Sequence, residues 1–253
     1  MDEALLLRGA LAGYGAAFAG GRWPRAAQAM LAAAVGLHTG ALALRWAAHG
    51  HGPFTTLHEV LSSNLWSLAL IFLAAAARWP EVRAAWRAAW PVLALLAAWL
   101  LASDGGRGHF PATYATTLLY LHAVAGKLFL GLLLVAVALA LLPLARSTPA
   151  AMAQRAGALA WAFAGAAFVA ESLMLVIGAA WAQDAWGRYW AWDPLETWAF
   201  ATWLALAAAL HARHAQGPAA KRHALWRAGV FVIAFLTFFG VPFLSAAPHQ
   251  GAL

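Results

Sequence analysis

The sequence predicts an all-α integral membrane protein, a bundle of about eight transmembrane helices with a Trp-rich loop between the sixth and the seventh. Three observations predict it. Of 253 residues, 64% are hydrophobic and only 10% charged, too few to solvate a globular surface. Apolar stretches of about 20 residues, enough to cross roughly 30 Å of hydrocarbon, recur along the chain. The breaks between them carry Pro, Gly and charge, as helix ends should. With no polar domain interrupting it, 1–253 reads as one transmembrane domain.

The first span, about 4–20, follows Met1-Asp2-Glu3; that start lacks the basic n-region of a secretory signal peptide, so the span is expected to be retained. It ends at Gly20-Gly21-Arg22. The second, 26–48, closes on Gly50-His51-Gly52-Pro53, and the third, 60–78, on Arg78-Trp79-Pro80-Glu81. The fourth, 88–103, stops at Gly105-Gly106-Arg107, and the fifth, 114–142, at the segment Pro143 to Pro149. The sixth, 157–181, enters the Trp-rich loop at about 181–198; the seventh, 197–213, ends before Gly217-Pro218, and the eighth covers 225–245. No internal repeat suggests a transporter of inverted halves.

The formal charge of +7 is divided by side. Loops after the odd-numbered spans hold Arg22, Arg25, Arg78, Arg83, Arg87, Arg146, Arg155, Arg213, Lys221, Arg222 and Arg227 against Glu81 alone, so they are expected in the cytoplasm. The other side has Arg107 and Arg188 against Asp2, Glu3, Glu59, Asp104, Asp184, Asp193 and Glu196. Both termini and the Trp-rich loop are then extracytoplasmic, across a bacterial plasma membrane or its thylakoid equivalent. No basic stripe or tail points to nucleic acid. The absence of cysteine excludes disulfide frameworks, thiolate metal sites and thiol exchange by this chain. What remains to be explained is 10 His and 15 Trp.

Trp181, Trp186, Trp190, Trp192 and Trp198 crowd the loop far more densely than an interfacial aromatic belt requires. Their spacing predicts a short helix through Trp186 and Trp190 running into an extended turn at Asp193-Pro194, a continuous aromatic shelf suited to a flat apolar macrocycle. Asp193 and Glu196 are placed to cap the seventh span, with Pro194 at its first position.

The string Trp186-Gly-x-x-Trp190-x-Trp192-Asp193-Pro194-x-Glu196-Thr197-Trp198 resembles the WWD signature of the haem-handling membrane proteins, and its ending looks most like the CcsA (ResC) family of cytochrome c biogenesis. About 90 residues at the C-terminal end follow that family's order of loop, helix, basic inner loop, helix and outer His. Eight spans fit this branch better than the shorter CcmC type or the much longer CcmF type. Gly52-Pro53 followed by Glu59 is similar to a further family pattern, with His58 where an aromatic residue is common.

The resemblance implies haem b as cofactor, with His122, His249 and His211 as ligands of the haem iron. His122 lies about eight residues into the fifth span, roughly 12 Å deep, and His249 just past the eighth, so the two can flank the aromatic loop. His211 lies roughly 20 Å beyond Trp198 along its helix; the resemblance implies a membrane-embedded ligand there, whereas its position near a helix end also suits satisfying the last carbonyls. Trp186, Trp190, Trp192, Asp193, Pro194, Glu196 and Trp198 are expected to bind the haem, and Trp190, Trp192 and Asp193 to hold one face of it during reaction. His38 reads as a mid-span polar residue satisfied by a neighbouring helix. His49, His51, His58 and His109 read as loop residues, solvated or structural, with His49-Gly-His51 a weak two-ligand metal signal. Lys127 and Glu171 lie at similar depths and are expected to pair, or Lys127 to meet a haem propionate.

The function implied is the haem-handling subunit of a system II cytochrome c synthase, part of a haem lyase complex. It would carry haem across or within the membrane and present it for thioether attachment to an apocytochrome c bearing Cys-x-x-Cys-His. A CcsB (ResB)-like membrane protein and a separate thiol-reducing pathway are the implied partners. Two other readings stay open on the residues alone: a membrane haem b electron-transfer subunit, and a haem transporter without ligation activity.

Overall fold

In the computed structural model, residues 2–20, 24–145, 147–211 and 218–244 are described. The helices are α1 (Glu3–Ala19), α2 (Pro24–His49), α3 (Leu57–Arg78), α4 (Pro80–Ala84), α5 (Trp86–Ala102), α6 (Thr117–Leu141), α7 (Ala150–Trp186), α8 (Pro194–His211), α9 (Pro218–Phe239) and α10 (Val241–Leu244). Each of the eight predicted spans corresponds to one long helix, and no strand occurs among the described residues. Among the described residues, five helices are long and apolar enough to cross a membrane, namely Arg25–His49, Leu57–Arg78, Thr117–Leu144, Ala150–Trp186 and Lys221–Phe239. Trp86–Ala102 is a shorter apolar helix.

The chain folds as two compact units, the first ending at Phe110 and the second beginning at Pro111. In the first, α1 pairs with α2, and α3 packs against both α2 and α5. The register follows from sequence: Leu61, Leu65, Leu68 and Phe72 recur at helical spacing on α3 and are buried, as are Leu93, Leu96 and Leu100 on α5. Thr56 caps α3, its hydroxyl accepting from the Glu59 N–H.

Several buried polar side chains of this unit are paired, although Asn64 Oδ1 and Trp86 Nε1 have no hydrogen-bond partner among the described residues. His38 is buried with Nδ1 against the Tyr14 hydroxyl at 3.0 Å and Nε2 against Ser62 Oγ at 2.8 Å, so neighbouring helices satisfy it as expected. Arg45 donates from Nε to Glu59 Oε1 at 2.9 Å, from Nη1 to Glu3 Oε1 at 3.1 Å, and to the carbonyls of Gly105 and Gly106. Glu59 Oε2 accepts from the Thr55 N–H and hydroxyl at 2.9 and 2.7 Å. His58, predicted in a loop, opens α3, is buried, and places Nδ1 3.0 Å from Ser103 Oγ.

The second unit is built around α6, which is buried nearly all round from Phe129 to Ala140 and so acts as the central helix. Its most extensive partner is α7, whose buried stripe is mostly small: Ala156, Ala160, Ala164, Ala167 and Ala170. Small side chains let helix backbones approach closely where lipid offers no hydrophobic drive. α9 packs on α6 and α8, with a Thr202–Thr237 hydroxyl contact of 3.3 Å between α8 and α9.

Three expectations are corrected in this unit. The sixth span, expected at 157–181, is a 37-residue helix whose last turns take in Trp181 and Trp186. It ends because Gly187 turns left-handed at φ 76. The predicted helix through Trp186 and Trp190 is therefore absent: Trp186 closes α7, while Trp190 lies in the non-helical segment before α8. Nor does Glu171 pair with Lys127; it is fully buried, and neither carboxyl oxygen has a hydrogen-bond partner among the described residues.

Candidate functional site

One group of site residues forms where α6 and α7 meet. His122, in the second turn of α6, donates from Nδ1 to the Met174 carbonyl of α7 at 2.9 Å. A carbonyl can only accept, so the neutral ring carries its proton on Nδ1 and its lone pair on Nε2. Metal-ligating imidazoles are commonly oriented in this way, by a carbonyl on the second nitrogen. The ring stacks on Trp181 with centroids 6.2 Å apart and planes 21° from parallel. Trp181 in turn donates to the Thr113 carbonyl at 3.1 Å and meets Tyr114 and Trp186 edge-on, at 5.4 and 4.9 Å.

Space for His122 comes from Gly178. An added Cβ there would stand 2.7 Å from both Cε1 and Nδ1 of the imidazole, closer than real Cβ contacts come. Met174, Gly178 and Trp181 follow one another at helical spacing of four and three, so one face of α7 supplies the acceptor, the gap and the stacking partner. Sequence reasoning picked out His122 but missed Met174, Gly178 and the role of Trp181. The one available signal was an isolated Gly inside a strongly helical run.

A second group is the turn from Gly187 into α8. Asp193 Oδ1 accepts from the Glu196 N–H at 2.8 Å, an N-cap bond, and Pro194 occupies the first helical position. Glu196 reaches back past the cap, its Oε2 accepting from the Ala191 N–H at 2.7 Å. Both carboxylates are buried, and together they close the turn much as a capping box does. Trp192, just before Asp193, has φ 57, a left-handed conformation that strains a bulky residue by about 1–3 kcal/mol. That backbone turn leaves the Trp192 indole 66% exposed while Asp193 points inward.

Trp190 and Trp192 meet edge-on at 5.6 Å and both lie against Phe200 of α8, at 6.3 and 5.9 Å. Phe200 stacks on Trp203, and Trp203 on Phe168 of α7, so the aromatic surface continues along the helices. Trp190 Nε1 is buried with no hydrogen-bond partner among the described residues. Trp198 is exposed in the first turns of α8.

His211 ends α8, about 26 Å from Pro194 at 1.5 Å per residue. It is exposed, and its Nδ1 donates to the Ala207 carbonyl at 2.8 Å, which again puts the lone pair on Nε2. It thus satisfies a terminal carbonyl and keeps the tautomer of a ligand. The structure does not bring His211 to the turn, and His249 lies outside the described residues.

The chain is 46% identical over 83 residues to the cytochrome c biogenesis protein CcsA of Prochlorococcus marinus (strain MIT 9312), a match covering 33% of this chain and 27% of that protein. It is 43% identical over 86 residues to the CcsA protein of Trichormus variabilis, covering 34% of this chain and 24% of the relative. The match thus spans about a quarter of each relative's length. The fold is similar to that of the cytochrome c heme lyase CcmF, with a TM-score of 0.72 and 22% identity over 100% of this chain and 49% of that one. The family described as cytochrome C assembly protein matches residues 23–249, which takes in α2 to α10 and the WWD turn, and the chain belongs to that family.

Proposed function

We propose that this chain is the haem-handling subunit of a system II cytochrome c synthase, holding haem b at an extracytoplasmic site for attachment to apocytochrome c. The observation that carries the reading is His122, with Nδ1 donating to the Met174 carbonyl and its ring seated over Gly178 beside Trp181. A core histidine of purely structural purpose needs neither the missing Cβ nor an indole aligned with its plane.

The donor set suits an iron-bearing macrocycle. His122 and His249 would hold the outer haem and His211 an inner one, shared with a CcsB (ResB)-like partner. Bound haem would supply the vinyl carbons to which the thiols of a Cys-x-x-Cys-His motif add. The chain's own task is then to position and to exclude water. Trp190 and Trp192 offer one aromatic face, and Asp193, Pro194 and Glu196 fix the turn that carries them. Trp186 extends the packing around Trp181, and Trp198 flanks the start of α8. With no cysteine of its own, the chain relies on a separate pathway to keep substrate thiols reduced. The positive loops belong on the cytoplasmic side, with both termini and the WWD turn opposite, and the whole of 1–253 works as one assembly domain.

The test is a haem spectrum of the chain purified with and without a CcsB-like protein. A bis-imidazole spectrum is expected, with the outer component lost in His122→Ala and the inner in His211→Ala. Absence of haem from both preparations would overturn the proposal. Haem bound and passed on without covalent attachment would reduce it to transport. Attachment that survives loss of both His122 and His249 would overturn the outer site.

A further inference from the structure

The turn joining α2 to α3 carries a cluster that the haem reading does not use. α2 ends at His49, and Gly50 then takes a left-handed φ of 76, its N–H bonded back to the Trp46 carbonyl at 2.8 Å. Only Gly adopts that conformation without a steric penalty. The reversal brings the imidazoles of His49 and His51 to 5.7 Å, centroid to centroid, above the carboxylate of Glu59. One nitrogen of each ring and one oxygen of Glu59 lie within 4.8 Å of one another.

We infer that His49, His51 and Glu59 form a binding site for a divalent first-row transition ion of the zinc type. Geometry is the first argument. His49 Nδ1 stands 3.4 Å from Glu59 Oε1, long for a hydrogen bond, whose usual N···O distance is about 2.9–3.0 Å. Two ligands about 2.0–2.1 Å from one tetrahedral ion are separated by roughly 3.3–3.4 Å, which is the spacing seen. Closing the third ligand to the same spacing asks for a movement of about 1.4 Å.

Orientation is the second argument. His51 is buried, its Nδ1 donates to the Gly52 carbonyl at 2.9 Å, and its ring lies 5° from parallel with Phe110 at 4.6 Å. Its lone pair is therefore fixed on Nε2 by a backbone acceptor and a stacked ring, the outer support that ligating histidines usually have. Glu59 is held in the same manner by Thr55 on its second oxygen.

Charge is the third. Two cations lie near: Arg45, shared between two carboxylates, Glu59 and Glu3, at 2.9 and 3.1 Å, and the exposed Arg107, whose Nη2 donates to the Ala48 carbonyl at 3.3 Å. Glu3, Glu59 and Arg45 are together formally −1 and the charge of exposed Arg107 is screened by solvent, so a divalent cation is spared the repulsion a lone buried arginine would impose. Two imidazoles and one carboxylate select zinc or its transition-metal neighbours over magnesium or calcium, which demand oxygen ligands.

The full chain in detergent, stripped with a chelator and equilibrated by dialysis against micromolar Zn²⁺, is expected to retain one more zinc per chain by elemental analysis than the variant His49→Ala/His51→Phe. The phenylalanine preserves the stack on Phe110. Affinity at this site should fall by at least about 100-fold in the variant, the upper end of what even an outer partner of a ligand contributes. Equal zinc content in the two proteins overturns the inference. Zinc should also raise the melting temperature of the wild type, and magnesium at the same concentration should not. No rise with zinc, or an equal rise with both ions, overturns it without reliance on any variant.

Discussion

Replacing Gly178 by alanine probes whether α7 is shaped around His122. The new Cβ would meet Cε1 and Nδ1 of the imidazole at 2.7 Å, so ring or helix must yield by about 0.7 Å to reach ordinary contact. The ring has little freedom, being bonded to Met174 and stacked on Trp181. Overpacking of this kind costs about 1–3 kcal/mol. Against it stands a gain of about 1 kcal/mol from placing Ala rather than Gly in a helix interior. Gly178→Ala should thus be destabilised by about 0–2 kcal/mol in the wild-type background. In a His122→Ala background the clash is gone and only the gain of about 1 kcal/mol remains. The difference is a coupling of about 1–3 kcal/mol between residues on two helices. Thermal melts of the four proteins in one detergent measure it. Gly165→Ala is the control: nothing lies within 4 Å of its Cβ position on the same helix, so it should stabilise equally in both backgrounds. If Gly178→Ala behaves as Gly165→Ala does, with no coupling to His122, the reasoning is wrong. On the function proposed above, Gly178→Ala also alters the outer haem spectrum while Gly165→Ala leaves it unchanged.

Asp193 separates capping from any further role of its charge. Asp193→Ala removes the bond to the Glu196 N–H and should cost about 0.5–2 kcal/mol, whereas Asp193→Asn keeps an acceptor oxygen and should melt close to wild type. Equal loss in both variants would refute the cap. Glu59→Gln removes one of the two carboxylates that hold buried Arg45, leaving Glu3, two carbonyls and a neutral amide oxygen, and a loss of about 1.5–3 kcal/mol is expected, read as a lower midpoint in chemical unfolding. A midpoint within error of wild type would show that the guanidinium is solvated rather than held.

What was legible in the sequence follows contiguity. Asp193, Pro194 and Glu196 reveal their cap because N-terminal helix chemistry is complete within four residues. His38 could be recognised as a satisfied core histidine on its mid-span position alone, though not that Tyr14 and Ser62 would be its partners. His122 was visible as an in-span imidazole, but its support comes from Met174, 52 residues further on, and no local pattern encodes which carbonyl of α7 will face it. The predicted helix through Trp186 and Trp190 failed for a related reason. Spacing by four between Trp186 and Trp190 reads as helical, yet Gly187 between them turns left-handed and ends the helix.

The sequence by itself determined the helices, their order and the charge asymmetry between loops, because apolar length and Pro, Gly and basic punctuation act over a few residues at a time. It also carried the WWD string that marks the family. Tertiary structure alone decided which side chains share a site: it set His122 over Gly178, gathered His49, His51 and Glu59 around a single glycine turn, and left Glu171 buried without a partner. The physical reason is that helix register and the axial rotation of each helix are fixed by packing across the whole interface, a sum over many weak contacts that no single stretch of sequence contains.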